Sequence, residues 1–221
     1  MVLWFFSGSA MQVIAMAAQK GGVGKTTIAG HLAVEAERQG YGKVVLIDTD
    51  PQGSLTAWYN VREAERPVTA VVKLDDLKGD LRRLKGRGFD LAIIDTPPAL
   101  TAQIVKVIEV ADLVVIPSRP SPVDLRAIGT TVDLVEALRK PMVFILNGAT
   151  PRTRIASSAI MLLSQHGTVA PVPLHHRIDF AYSFTHGQTV QELDANGPSA
   201  REIAKLWEYL QDRLKKVRKA T

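Results

Sequence analysis

No cysteine occurs among the 221 residues. That absence excludes structural disulfides, a thiolate nucleophile, cysteine-ligated zinc and iron–sulfur clusters, and it fits a reducing compartment. Histidine is sparse too: the adjacent pair His175 and His176 has no third ligand at a metal-binding spacing. Ser121, Ser157 and Ser158 have no nucleophile context, so covalent catalysis has no support. No apolar run approaches the roughly 20 residues that cross a bilayer. The run Val2 to Phe6 in "MVLWFFSGSAM" is short and lacks the basic flank of a signal peptide. Residues 1–11 therefore read as an N-terminal extension ahead of a natural start at Met11, with a small membrane or partner hook as the unsupported alternative.

What is present is an ordinary globular composition, 46% hydrophobic and 22% charged. The length suits one sizeable core, and one domain is expected over residues 12–217, followed by a basic tail at 218–221. The net charge of +5 is concentrated at the end, where residues 201–221 hold seven Lys or Arg against Glu202, Glu208 and Asp212. Such a segment suits an anionic polymer or surface as partner, or simply a helix C-terminus that favours cations.

Short apolar runs alternate with helical patterns. The runs are "VIAMA" (13–17), "KVVLID" (43–48), "DLAIID" (90–95), "DLVVIP" (112–117), "MVFILN" (142–147) and "TVAPVP" (168–173), with a weaker one at 68–72. Runs apolar on both faces are how buried parallel strands read. Helices are expected at about 25–39, 74–85, 101–110, 122–139, 153–166 and 199–216. The alternation predicts an α/β fold, a doubly wound, mostly parallel sheet with helices on both faces. Polar clusters follow the runs directly, so four loops converge on the rim at the carboxyl ends of the strands, where open α/β sheets bind ligands.

The cluster after the first run, "AQKGGVGKTT" (18–27), has the composition of a phosphate-binding loop. Gly21, Gly22 and Gly24 let the backbone curl so that successive N–H groups, with Val23 and Thr27 in the same turn, face phosphate oxygens. Lys25 then pairs with the β- and γ-phosphates and the Thr26 hydroxyl ligates Mg2+. The usual leading glycine is replaced by Gln19, and a second lysine, Lys20, follows it. Redundant on its own nucleotide, Lys20 reads as reaching across a dimer interface to the nucleotide of a second subunit.

Together "KGGVGKTT", "LIDTDPQGS" and "LAIIDTPP" resemble the deviant Walker A, A′ and Walker B motifs of the ParA/MinD ATPases, a likeness running from about residue 12 to 210. "DTDPQGSLTAWY" and "VIPSRPSPVDLRAIG" are most similar to the small ParA proteins of plasmid and chromosome partition that lack an N-terminal helix-turn-helix domain. The resemblance implies a P-loop ATPase that takes ATP and Mg2+, with catalytic Lys20 acting in trans, Lys25, and Asp50 positioning the attacking water. It implies Asp95 as the Walker B carboxylate on the magnesium shell, Asp48 helping to hold that shell or the loop, and Thr96-Pro97-Pro98 as the γ-phosphate sensor. Asn147 takes the position that hydrogen-bonds the adenine edge. Arg152 and Arg177, joined by Arg154, fall where relatives bind DNA through its phosphates, without sequence preference. Expected partners are a homodimer with ATP, non-specific double-stranded DNA and a ParB-like or cargo-adaptor protein that stimulates slow hydrolysis; the expected location is cytoplasmic, on the nucleoid. The alternatives are a ParA-like ATPase that positions a protein cargo on the nucleoid, or a MinD-like membrane ATPase. For the last, the stripe Ile203, Leu206, Trp207, Leu210, Leu214 and Val217 could face lipid or core, and core is favoured.

Overall fold

The computed structural model describes residues 11–98 and 102–220. The expectation for an extension at residues 1–10 and the last residue of the basic tail lie outside the described residues. The strands are β1 (Gln12–Met16), β2 (Val44–Asp48), β3 (Val68–Thr69), β4 (Leu91–Asp95), β5 (Leu113–Ser118), β6 (Met142–Ala149), β7 (Thr168–Val169) and β8 (Leu174–His175). The helices are α1 (Lys25–Arg38), α2 (Ser54–Asn60), α3 (Leu77–Gly86), α4 (Ala102–Val110), α5 (Pro122–Arg126), α6 (Gly129–Ala137), α7 (Arg154–Ser164), α8 (Ile178–Thr185), α9 (Val190–Leu193) and α10 (Pro198–Ala220). The strand order is β3-β2-β4-β1-β5-β6-β7, with β8 pairing β6 beyond β7, and the described pairings are parallel.

Both faces of the central strands are apolar because both are covered. In β1, Ile14 and Met16 enter the cluster formed with α1, α2 and α10, while Val13 and Ala15 enter the opposite cluster with α3, α4, α6 and α7. β4 and β5 split in the same way, Ile93 and Val115 to one side, Ile94 and Val114 to the other. Side chains alternate across a strand, so one continuous apolar run feeds two cores. Each fully buried large aliphatic contributes about 1.5–3 kcal/mol. The stripe of α10 belongs to the first core: Ile203, Leu206, Trp207, Leu210 and Leu214 are all 0% exposed. That face is therefore spent on the sheet and on α1.

Three sequence expectations change in detail. The strand expected at 168–173 is reduced to the two residues of β7, and pairing with β6 resumes only past its end, as β8. Pro171 and Pro173 lie between the two pieces and have no N–H for the ladder. The helix at 122–139 breaks between Arg126 and Gly129, where Ile128 N–H turns to the Leu125 carbonyl. The final helix runs through 220, so the cations at 218 and 219 extend α10. Among the described residues, no helix is long and apolar enough to cross a membrane.

Candidate nucleotide site

The loop between β1 and α1 carries Gly22 at φ 73° and Gly24 at φ 99°, both in the left-handed region that glycine adopts without a steric penalty. At Gly24 the second reason is proximity, because a Cβ there would stand 2.3 Å from the Asn147 amide nitrogen. Gly24 starts α1 without a side-chain cap, and the first turn has no acidic residue. The opening N–H groups of α1 therefore meet no side chain of their own, which is the electrostatic ground for an anion.

Lys25 is buried and donates to the carbonyls of Ala18 at 3.1 Å and Lys20 at 3.4 Å. Burial lowers its pKa, against the opposing pull of Asp95 and Asp50. The Thr26 hydroxyl donates to Asp95 Oδ2 at 2.6 Å. Asp95 is 0% exposed and its Oδ1 has no partner among the described residues. Burial pushes its pKa up to about 7; the Thr26 hydrogen bond opposes this, Asp48 adds to it, Lys25 opposes and Asp50 adds. A buried carboxylate with an open oxygen beside a threonine hydroxyl suits a magnesium ion with its bound water, a hard cation that favours oxygen ligands. The residues fit the group.

Parallel register sets Asp48 beside Asp95. Asp48 spends Oδ1 on the Asp50 N–H at 3.1 Å and Oδ2 on the Thr56 N–H and hydroxyl at 2.9 and 3.0 Å. It thereby ties the turn after β2 to the first residues of α2. Asp50 Oδ1 accepts from the Gln52 N–H at 3.0 Å, and the residue lines the main cleft with Gly24, Lys25, Thr26 and Asn147. The cleft has a volume of about 810 Å³, within the usual size for a nucleotide-scale ligand. Thr96 is buried and donates to the Met16 carbonyl at 2.6 Å, pinning β4 to the start of the loop.

Asn147, at the end of β6, donates its amide to the Val23 carbonyl at 2.8 Å. It braces the loop in this structure while still bordering the cleft. Lys20 ends on Asp124 of α5, Nζ to Oδ1 at 2.5 Å. Gln19 N–H donates to Thr131 Oγ1 of α6 at 3.3 Å, so the front of the loop leans on both α5 and α6. The three arginines separate. Arg152 and Arg154 are exposed beside the β6–α7 turn and, among the described residues, show no ion pair, whereas Arg177 pairs with Glu202 of α10 at 2.7 Å. His175 shares that glutamate, its Nδ1 2.7 Å from Oε1.

Sequence reasoning missed Asp124 and the aromatic wall of the cleft. Trp58 stacks on Phe184 at 5.1 Å, and Phe184 on His31 at 5.9 Å. "SPVDL" does carry a helix-start signature, since the Ser121 hydroxyl accepts from the Asp124 N–H. It does not announce which lysine the carboxylate meets.

The model of the CobQ/CobB/MinD/ParA nucleotide binding domain matches residues 14–190. Maintenance of carboxysome distribution protein A of Halothiobacillus neapolitanus is 29% identical over 198 residues, covering 86% of this chain and 91% of that protein. The chromosome-partitioning ATPase Soj of Thermus thermophilus is 27% identical over 252 residues, covering 92% of this chain and 97% of Soj. Among solved structures, the septum site-determining protein MinD of Pyrococcus horikoshii, complexed with Mg-ADP, has a TM-score of 0.76 at 18% identity, covering 90% of this chain and 96% of that one. At that identity the likeness speaks for the fold. The glycine loop, the Thr26–Asp95 hydrogen bond and the parallel sheet of this chain coincide with the matched segment, and the chain belongs to the CobQ/CobB/MinD/ParA nucleotide-binding family.

Proposed function

We propose that this chain is a ParA-type ATP hydrolase that forms an ATP-dependent dimer on non-specific DNA, is released by partner-stimulated hydrolysis, and so segregates or positions a cargo. The observation that carries the reading is the pair of lysines on one phosphate loop. Lys25 is buried at the base of the loop, while Lys20 stands at its mouth with its side chain 38% exposed. In this reading one lysine serves the chain's own nucleotide and the other serves that of a second subunit.

In this reading the loop N–H groups of residues 21–27 and Lys25 hold the β- and γ-phosphates, and Asn147 faces the base. Thr26 and Asp95, with Asp48 behind them, hold Mg2+, which when bound offsets charge on the phosphate oxygens. Asp50 orients a water toward the γ-phosphate, its carboxylate accepting a hydrogen bond from that water. Lys20 of one subunit supplies a cation to the other's site; charge given in trans to phosphoryl transfer is worth about 10³–10⁵ in rate.

Retention on long duplex DNA, compared with ATP–Mg2+, ADP and no nucleotide over a salt series, tests the whole. ATP-specific retention that falls steeply with salt is expected. Retention on anionic liposomes but not on DNA would move the chain to a membrane-positioning role. Lys20→Ala is expected to lose ATP-dependent dimerisation and stimulated hydrolysis; wild-type behaviour in both sinks the trans assignment.

A protein cargo is the second reading, favoured by the likeness to a carboxysome-distribution protein over nearly its full length. Co-localisation of a fluorescent fusion with a protein cluster, and not with a plasmid or chromosome origin, would select it.

A further inference from the structure

We infer that Asp124 is a positioning residue that holds Lys20 in cis and so sets the threshold for dimerisation. The inference rests on Lys20 acting in trans, as proposed above. Asp124 is 6% exposed, and its carboxylate meets Lys20 Nζ at 2.5 Å. A carboxylate this enclosed keeps a cation firmly, because leaving it unpaired strands a buried charge. The start of α5, a five-residue helix, is already capped by Ser121, so the Asp124 carboxylate is free to hold the lysine. The lysine is thus occupied at home and unavailable to a second subunit.

The contact is also wired to the phosphate site. Lys25 Nζ donates to the carbonyl of Lys20 as well as to that of Ala18. Both lysines are satisfied within the chain, and one of them holds the backbone of the other. Engagement of Lys25 by a phosphate withdraws it from the Lys20 carbonyl and frees the Lys20 backbone to turn outward. Gln19, tied to Thr131, is the fixed point about which residue 20 swings. The order of events follows: nucleotide first, release of Lys20 second, dimer third.

Reductive methylation of the nucleotide-free full chain, read by mass spectrometry, reports the accessibility of the Lys20 amine against exposed Lys43. Asp124→Asn is expected to raise Lys20 labelling about fivefold, the worth of a pair near 1 kcal/mol, and to lower the protein concentration for half-dimerisation with ATP–Mg2+ by a similar factor. Asp124→Glu, which keeps the charge, should return both toward wild type. In a Lys20→Ala background, which is expected to lose the ATP-dependent dimer, Asp124→Asn should not restore it. Equal Lys20 labelling in wild type and Asp124→Asn overturns the inference, as does faster labelling with an unchanged threshold. Dimerisation restored by Asp124→Asn without Lys20 overturns it too, since the effect would then come from α5 itself. If Lys20→Ala dimerises normally, the trans reading has failed; the labelling comparison, which needs no dimer, still decides whether Asp124 holds Lys20.

Discussion

His31 lies on the inner face of α1 and is 0% exposed. Its Nδ1 stands 2.7 Å from the Thr27 carbonyl oxygen, so that nitrogen carries the proton and donates, while Nε2 has no partner among the described residues. Burial pushes its pKa down to about 4, with the Thr27 carbonyl and Glu192 opposing. The unfolded chain protonates this ring near pH 6.5 and the folded one near 4, so between those values the unfolded state binds more protons. The stability involved is fully present above about pH 6.5 and is lost as pH falls through about 4, amounting to about 3 kcal/mol. His31→Phe keeps a ring against Phe180 and Phe184 and removes the titration. Urea unfolding from about pH 7 to about pH 5 should therefore show a shallower loss of stability for the variant than for wild type. Parallel slopes would mean that the acid sensitivity arises elsewhere. At this scale the sequence was legible where chemistry demands a residue type at a fixed spacing: glycine at 24 and an aspartate closing an apolar run at 95. It was silent on His31 and Asp124, whose roles depend on what folds against them.

Among the elements, α2 and α8 show why short helices escape a periodicity reading. They have seven and eight residues, too few turns for a stripe to declare itself, and each is fixed by tertiary contacts. Arg62, just after α2, is the clearest such contact, with its side chain only 2% exposed. It donates to the carbonyls of Arg66 and Gly187 and to both oxygens of Glu192, and its guanidinium lies 5.1 Å from the Trp58 ring centroid. The backbone of Gly187, at φ 68°, comes so close that a Cβ there would stand 2.6 Å from the Arg62 backbone. The staple thus joins the end of α2 to the α8–α9 connection, and α2 begins just after Asp50. Arg62→Ala should cost about 2–3 kcal/mol in urea unfolding, less than a fully enclosed pair because Glu192 is partly open to water. It should also quicken amide exchange over residues 50–60 relative to β4. Arg62→Lys is not expected to rescue, since one ammonium with three donors cannot serve four acceptor oxygens. Loss of stability without faster exchange near Asp50 would confine the staple to the α8–α9 side. The long strands and α1 needed no such help to be read, because their apolar runs are both local and continuous.

Over the whole molecule, the sheet order delivers every strand-end loop to one rim, and that much follows from alternating parallel strands and helices. The division of the surface cations does not. Three arginines were grouped by resemblance as a DNA contact, yet their surroundings separate them. Arg177 pairs with Glu202, and its side chain is 26% exposed, whereas Arg152 and Arg154 stand exposed at the rim. Arg152 holds φ 57°, a left-handed conformation that costs a residue with a Cβ about 1–2 kcal/mol. Glycine would relieve that strain, so a residue kept there against its backbone preference points to use of the side chain. Arg152→Gly should accordingly leave thermal stability equal to or slightly above wild type. If the chain binds DNA as proposed, ATP-dependent retention should weaken, with the slope of log affinity against log salt shrinking by about one for one phosphate contact fewer. Arg154→Ala should add a similar decrement. Arg177→Ala should behave in the opposite sense, destabilising the fold by leaving Glu202 with His175 alone, while the salt slope stays near wild type. Should Arg177→Ala flatten the salt dependence and Arg152→Gly leave it intact, the DNA face would lie on the α8–α10 side of the rim, and the turn before α7 would lose its assignment.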